Sequence, residues 1–237
     1  MPVESHNTPA LRLDDERERV HRIYELRREI DTPLDLFGLY TLQERQVCIS
    51  KFFRRLGLSS LKDQRILDVG CGTGAMLRRF LDFGAEPRNC VGIDLTPNHV
   101  QSARRLNPNF AFVEGNAAQL PFHDEDFDIV HQATVFTSVL DPGIKRAMAF
   151  EIMRTLRPGG HFIWYDFAYS NPRNRNVRGI GRAEIQELFG GCRLQFHRVT
   201  LAPPVARAAI RFAPFFCRTL WAVPFLRTHY LCFGQKL

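Results

Sequence analysis

The chain has 237 residues, of which 45% are hydrophobic and 24% are charged. This length and composition predict one soluble globular α/β domain with a full core, and they exclude a low-complexity or repeat protein. The formal net charge of +7 would attract phosphates, nucleic acid or an anionic membrane surface. No concentrated arginine block with interleaved aromatics occurs, however, so nucleic acid is not the favoured partner.

Two amphipathic helices are predicted in the first 60 residues. Apolar residues recur at helical spacing over residues 11–30 and again over residues 36–56. The charged start of the chain has no apolar core of the kind a signal peptide needs, which predicts a cytoplasmic protein. Tyr24 and Tyr40 are the candidates in these helices for contact with a ligand, although aromatics at helical spacing more often pack in a core.

Residues 65–74, which read RILDVGCGTG, are the most informative segment of the chain. A short apolar strand runs directly into Gly70, Gly72 and Gly74, and a helix is predicted over residues 75–81. Glycines allow a tight turn and let a ligand approach the backbone. Spacing alone also matches a dinucleotide fingerprint. Asp68 argues against that interpretation, because its carboxylate would repel a pyrophosphate, whereas a ligand with an ammonium group and no phosphate fits better.

This segment resembles the first motif of class I S-adenosylmethionine-dependent methyltransferases, whose cofactor carries a methionine and a sulfonium. The resemblance continues in order through residues 65–166 and is closest to the small-molecule group that includes the ubiquinone-biosynthesis enzymes. It implies that S-adenosylmethionine is the cofactor and that the first motif binds it. The residues concerned are Asp68, Gly70, Cys71, Gly72 and Gly74.

The next two predicted strands supply further candidates for cofactor binding. Asp94 ends a short apolar strand twenty residues after Gly74, which is the distance at which a carboxylate can accept the ribose hydroxyls. In the family, the residue after this acid packs on the adenine, so Leu95 takes that role by resemblance. Asn116 and Ala117 stand where the family usually has Asp-Ala, and the amide oxygen of Asn116 can still accept the adenine amino group.

A fourth strand is predicted over residues 127–132, a turn over 156–160 and a fifth strand over 161–166. Gln132 is the candidate for the methionine end of the cofactor. Many relatives carry a histidine in the segment after this strand, but residues 135–139 have Thr and Ser instead. His131, at the end of the strand, is therefore the catalytic candidate, although a histidine there is more often structural.

The last part of the chain contains two segments that could shape an acceptor pocket. A loop over residues 169–182 carries four arginines and leads to a helix over 183–189; it could clamp an anionic acceptor or simply be solvated. Strands over 192–201 and 227–237 flank an insertion over 202–226 with a basic amphipathic pattern. This insertion could cap a pocket or lie on a membrane, because no run reaches the ~20 apolar residues of a membrane span.

These patterns predict a Rossmann-like, doubly wound α/β fold with a seven-stranded, mostly parallel sheet and an antiparallel last strand. The single domain comprises a helical lid (1–60), a cofactor-binding core (61–170) and a C-terminal part (171–237). The predicted activity is S-adenosylmethionine-dependent methyl transfer to an O, N or C atom of a small molecule. Two alternatives are a lipophilic or membrane-borne acceptor and a non-catalytic, cofactor-binding scaffold. Six scattered cysteines without a C-x-x-C pair predict reduced thiols and no metal site.

Overall fold

The computed structural model describes residues 15, 16, 18–20, 22, 23, 36–171, 174–212, 220 and 223–237. Tyr24 lies outside the described residues, as does most of the second half of the predicted insertion. The described residues between 15 and 23 are helical, in agreement with part of the first predicted helix.

Within the described residues, seven strands form one sheet in the order β3-β2-β1-β4-β5-β7-β6. Only β7 runs antiparallel to its neighbours β5 and β6, while β1 to β5 pair in parallel. The predicted fold class is therefore confirmed. The strands are β1 (Ile66–Val69), β2 (Cys90–Asp94), β3 (Ala111–Glu114), β4 (Phe127–Ala133), β5 (Leu156–Phe167), β6 (Cys192–Leu201) and β7 (Arg227–Lys236).

The helices predicted over residues 36–56, 75–81 and 183–189 are present, with bounds within one residue of those predicted. A short 3-10 turn, Pro224–Leu226, closes the insertion before β7. The insertion itself begins with a helix, as its pattern predicted. The helices are α1 (Leu36–Arg55), α2 (Ala75–Leu81), α3 (Pro97–Leu106), α4 (Pro142–Thr155), α5 (Arg182–Leu188) and α6 (Pro203–Phe212).

The central strands are apolar along their length because helices cover both faces of the sheet. Every residue of β1 is buried, as is every residue of β4 except the last. On one face, α1 packs directly on the sheet: the Phe52 ring stacks on Phe233 with centroids 4.0 Å apart. On the other face, Trp164 packs with Phe136 and Phe189. The second predicted lid helix therefore also contributes to the core.

The predicted turn over residues 156–160 is instead a bulge within β5. Phe127 pairs with Leu156 and Ile129 pairs with His161, so the intervening residues of β5 loop out opposite Asp128. Gly159 lies in this bulge with φ +74°. Leu156 pairs before the bulge and residues 161–165 pair after it, so the Pro-Gly-Gly sequence interrupts the ladder without ending the pairing.

Candidate cofactor site

A cavity of about 540 Å³ opens at the carboxyl ends of β1, β2 and β4. Ligands of open α/β sheets bind at this edge, next to the point where the strand order reverses, and the volume is in the range of small-molecule sites. The cavity is lined by the following predicted cofactor residues: Gly70, Cys71, Gly72, Asp94, Leu95, Asn116 and Ala117.

The glycine turn is held against the neighbouring strand by backbone hydrogen bonds. The N–H groups of Gly70 and Cys71 both donate to the Ile93 carbonyl, at 2.8 and 3.0 Å. Gly72 has φ +53°, and a Cβ built on it would meet no protein atom within 4 Å. A Cβ on Gly70, in contrast, would strike Val135. Gly72 is therefore the position where the backbone lies open to a ligand, whereas Gly70 serves close packing.

Asp94 ties the end of β2 to the glycine turn. Its carboxylate accepts the N–H of Gly72 at 2.9 Å and of Thr96 at 2.9 Å, and it lies 3.2 Å from His99 Nδ1. Burial by itself raises the pKa of Asp94, but these hydrogen bonds outweigh it and the net pKa is lowered. The side chain is therefore an ionised acceptor on the cavity wall, which is the property that a ribose-binding carboxylate needs.

The cavity lining also includes Leu95, Asn116 and Ala117. The Asn116 oxygen accepts the N–H of Ala118 at 2.9 Å, which folds the loop after β3 into a compact turn. A carbonyl oxygen has two lone pairs, so this oxygen keeps one acceptor site. The acceptance of a hydrogen bond from the adenine amino group by Asn116 stays a prediction, and the geometry of the turn is compatible with it.

Asp68 and His131 are buried and are absent from the cavity lining. The Nδ1 atom of His131 is 2.7 Å from Asp68 Oδ1, and both side chains are buried. The His131 ring also packs edge-on against Phe80. Gln132, next in the chain, is buried and accepts the Val135 N–H at 3.2 Å. Together these side chains brace the ends of β1 and β4, and the catalytic role of His131 stays a prediction.

Gly74 and Tyr40 are also outside the cavity lining. A Cβ on Gly74 would contact Phe112 at 2.7 Å, so this glycine provides close packing between the turn and β3. The tyrosine lies on α1, five residues before Arg45, and it is Arg45 that lines the cavity. The sequence carried no signal for this arginine, because one more cation on an amphipathic helix in an arginine-rich chain is not distinctive.

The helical segment before residue 24 covers the cavity through two charged side chains. Glu16 lines the cavity, accepts the Leu140 N–H at 2.6 Å and pairs with Arg19 at 2.7 Å. Arg19 in turn donates to the carbonyls of Ser138 and Asn176. Burial raises the pKa of Glu16, but the hydrogen bonds from Arg19 and Leu140 outweigh it and lower the net value. These contacts hold Glu16 and Arg19 against the loop after β4, and the role of the segment as a lid stays a prediction.

Thr134 is a further cavity residue that sequence reasoning missed. It follows β4 with φ +58°, which is uncommon for a β-branched residue. Its N–H donates to the Tyr165 carbonyl at 2.8 Å, and this bond holds the turn in place. Such local strain is concentrated at ligand-binding sites, where the surrounding structure maintains it. Nothing in the sequence distinguishes this threonine, since the left-handed conformation depends on the contact with β5.

The family pattern described as "Methyltransferase domain" matches residues 66–160. A phthiotriol/phenolphthiotriol dimycocerosates methyltransferase of Mycobacterium leprae is 31% identical over 169 residues, which are 70% of this chain and 58% of that protein. A demethylmenaquinone methyltransferase of Renibacterium salmoninarum is 32% identical over 49% of this chain and 48% of its own length. The chain thus spans about half the length of the curated relatives it matches.

The solved structures show the same architecture. The PH0226 protein of Pyrococcus horikoshii superimposes with a TM-score of 0.63 at 18% identity, over 92% of this chain and 98% of that one. At this identity the likeness concerns the fold, and it agrees with the observed strand order. Sequence match, strand order and the position of the cavity agree with the resemblance predicted from residues 65–74. Residues 66–160 therefore match a methyltransferase domain, and the chain has the fold that the resemblance to class I S-adenosylmethionine-dependent methyltransferases predicted.

Proposed function

We propose that the protein transfers a methyl group from S-adenosylmethionine to a small-molecule acceptor. The observation that carries the proposal is the joining of Gly72 and Asp94 at one wall of the cavity. The glycine leaves the backbone open to a ligand, and the carboxylate beside it is buried, ionised and accessible from the cavity. A nucleoside without phosphates fits this wall, because its ribose hydroxyls can donate to Asp94 and it brings no negative charge toward it.

The residues present fit this cofactor along the length of the cavity. Leu95 and Ala117 offer apolar contacts for an adenine ring, and the glycine turn offers backbone contacts for the methionine end. When bound, the cofactor supplies a methyl group already activated by a sulfonium. The task of the protein is then to hold the acceptor atom in line with the methyl carbon and to exclude water. The contacts of Glu16 and Arg19 with the loop after β4 support a water-excluding role for the lid.

In place of the predicted catalytic role, we propose that His131 positions Asp68, because His131 is absent from the cavity lining. Its side chain is completely buried, with Nδ1 committed to the carboxylate. An acceptor that needs no proton removal, or that ionises in solution, agrees with this arrangement, because methyl transfer requires a base only when the nucleophile must lose a proton.

We propose a lipophilic small molecule as the acceptor class. Two relatives are named for methylation of phthiotriol dimycocerosates and of demethylmenaquinone. In this chain, Leu36, Leu39 and Val47 on α1 expose apolar surface to solvent, which suits contact with an apolar molecule. No described helix has the length and hydrophobicity required to cross a bilayer. The alternative is that the protein is cytoplasmic and contacts a membrane surface through residues 202–226. Co-sedimentation with anionic liposomes tests this alternative.

The decisive experiment combines binding with product identification. Calorimetric titration should show that S-adenosylhomocysteine binds and that NAD does not. Incubation with a cell extract and methyl-labelled S-adenosylmethionine should then yield one labelled small molecule, extracted into organic solvent if the acceptor is lipophilic. Binding without any labelled product from repeated extracts would favour the non-catalytic scaffold. Tight NAD binding without S-adenosylhomocysteine binding would overturn the assignment.

A further inference from the structure

Arg45 lies at the end of a stack of ring side chains that reaches the cavity. Its guanidinium carbon is 4.6 Å from the centroid of the Tyr165 ring. His229 stacks on Tyr165 at 4.8 Å with an interplanar angle of 7°, and Phe167 packs on His229 at 4.2 Å. Tyr165 is fixed further by a 2.8 Å hydrogen bond between its hydroxyl and Thr200. The stack therefore holds the guanidinium in one place beside the cavity.

The N–H donors of Arg45 are unused by the part of the chain that the structure describes. Its Nε atom is inaccessible to solvent and has no hydrogen-bond partner there, and no carboxylate of the described residues forms an ion pair with it. The neighbouring Glu44 faces elsewhere, because its carboxylate accepts the Thr200 N–H at 2.8 Å. A guanidinium almost always has a hydrogen-bonding partner when it leaves bulk water, so an unpaired one at a cavity wall indicates a site for an anion.

The charges around Arg45 favour an anion as well. Burial lowers the pKa of Arg45, while Tyr165 and Asp68 oppose that shift. Asp68 already holds His131, and it is excluded from the cavity lining. Burial, followed by the charge of Arg45, lowers the pKa of His229 to about 3, so the imidazole is neutral at physiological pH. Among the described residues that line the cavity, Arg45 is thus the one arginine or lysine that can face a ligand.

We propose that Arg45 is the carboxylate-binding residue of the cavity. The planar fork of a guanidinium matches a carboxylate with two parallel hydrogen bonds, which a single ammonium cannot reproduce. This inference rests on the proposed function, and it adds to the proposed ligand site a residue outside the glycine motif. Two sources can supply the carboxylate: the methionine end of the cofactor or an acidic group of the acceptor.

The test compares two ligands on three variants. S-Adenosylhomocysteine carries the amino-acid carboxylate, and 5′-methylthioadenosine has the same nucleoside thioether without it. Replacement Arg45→Met should lower the affinity for S-adenosylhomocysteine by about 10- to 100-fold and leave the affinity for 5′-methylthioadenosine unchanged. Arg45→Lys should recover only part of the loss. Arg54→Met, at an exposed arginine of the same helix, is the matched control and should bind both ligands as the wild type does.

A second measurement separates binding from a structural role. The unliganded Arg45→Met protein should melt no lower than the wild type, because a charge without an ionic partner is replaced by an apolar side chain that still packs on Tyr165. The shift in melting temperature caused by S-adenosylhomocysteine should shrink. A purely structural arginine would give the reverse pattern: a lower melting temperature without ligand and an unchanged shift.

The same variants identify the source of the carboxylate. Benzoate serves as the probe for a carboxylate of the acceptor and is titrated into protein saturated with cofactor. If the carboxylate belongs to the acceptor, the wild type should bind benzoate and Arg45→Met should not, while Arg45→Met keeps its affinity for S-adenosylhomocysteine. Unchanged affinity for both S-adenosylhomocysteine and benzoate would overturn the inference while leaving the proposed function intact. A wild-type protein that fails to bind S-adenosylhomocysteine would overturn the proposed function itself.

Discussion

Replacement of Gly72 by alanine tests the cofactor site, and the loss of folding stability that the replacement itself causes can be worked out from the structure. Gly72 has φ +53°, where an L-residue is disfavoured by about 1–2 kcal/mol. The added methyl group meets no protein atom within 4 Å, so no clash adds to that cost. For a chain of this size the melting temperature should fall by roughly 2–8 °C, and the variant should still fold. The methyl group instead occupies ligand space.

The loss of affinity follows from overpacking against the bound cofactor. An extra methyl group in a well-packed contact costs about 1–3 kcal/mol, which corresponds to a decrease of roughly 5- to 150-fold in affinity for S-adenosylhomocysteine. Calorimetric titration of the folded variant measures it. The matched control is Gly159→Ala. Gly159 has φ +74°, and a Cβ added to it also meets nothing within 4 Å. It lies near the amino end of β5, whereas the cavity is at the carboxyl ends of the parallel strands.

The two variants should destabilise the protein equally and differ only in binding. Gly159→Ala is expected to bind S-adenosylhomocysteine with wild-type affinity. Wild-type affinity in Gly72→Ala would refute the assignment of this backbone to the ligand, and equal losses of affinity in both variants would show that destabilisation was being measured. Gly74→Ala is unsuitable for this purpose, because its Cβ would clash with Phe112 and Asn107 and confound folding with binding.

Two further predictions concern carboxylates. Asp94→Ala should weaken the binding of S-adenosylhomocysteine by roughly 1.5–3 kcal/mol, or about 10- to 100-fold, since a charge-assisted acceptor is lost. The control Asp124→Ala removes an exposed partner of Arg154 and should leave this affinity unchanged. Equal losses of affinity in the two variants would argue against a ribose role for Asp94. Burial, opposed by hydrogen bonds from Thr137, raises the pKa of Asp166 from 3.8 to about 7. The folded state therefore keeps a proton that the unfolded state loses in this range, so this group's contribution to stability falls as pH rises. Between pH 5 and 8, the free energy of unfolding measured with urea should decrease by about 3 kcal/mol more in the wild type than in Asp166→Asn. Parallel pH profiles of the two proteins would contradict this prediction.

The fold could be predicted from local signals because they repeat along the chain. Apolar strands followed by glycine or a carboxylate mark β1 and β2, and helical periodicity over residues 36–56 marks α1, nearly to the observed bounds. The bulge of β5 was less predictable. A Pro-Gly-Gly segment is compatible with either a turn or a bulge, and the pairing of Phe127 with Leu156 decides between them.

The sequence by itself predicted the class of ligand and identified residues that the fold brings together at one wall of the cavity. The glycine turn and Asp94 are read from spacing, since a strand end and a neighbouring strand end must meet at the same edge of a parallel sheet. Only the tertiary structure decided which side chains reach the cavity from elsewhere. Arg45 depends on the packing of α1 against β5 and β7, and Glu16 on a contact with Leu140 across more than a hundred residues. Such contacts leave no local periodicity, because their partners are brought together by burial of the core.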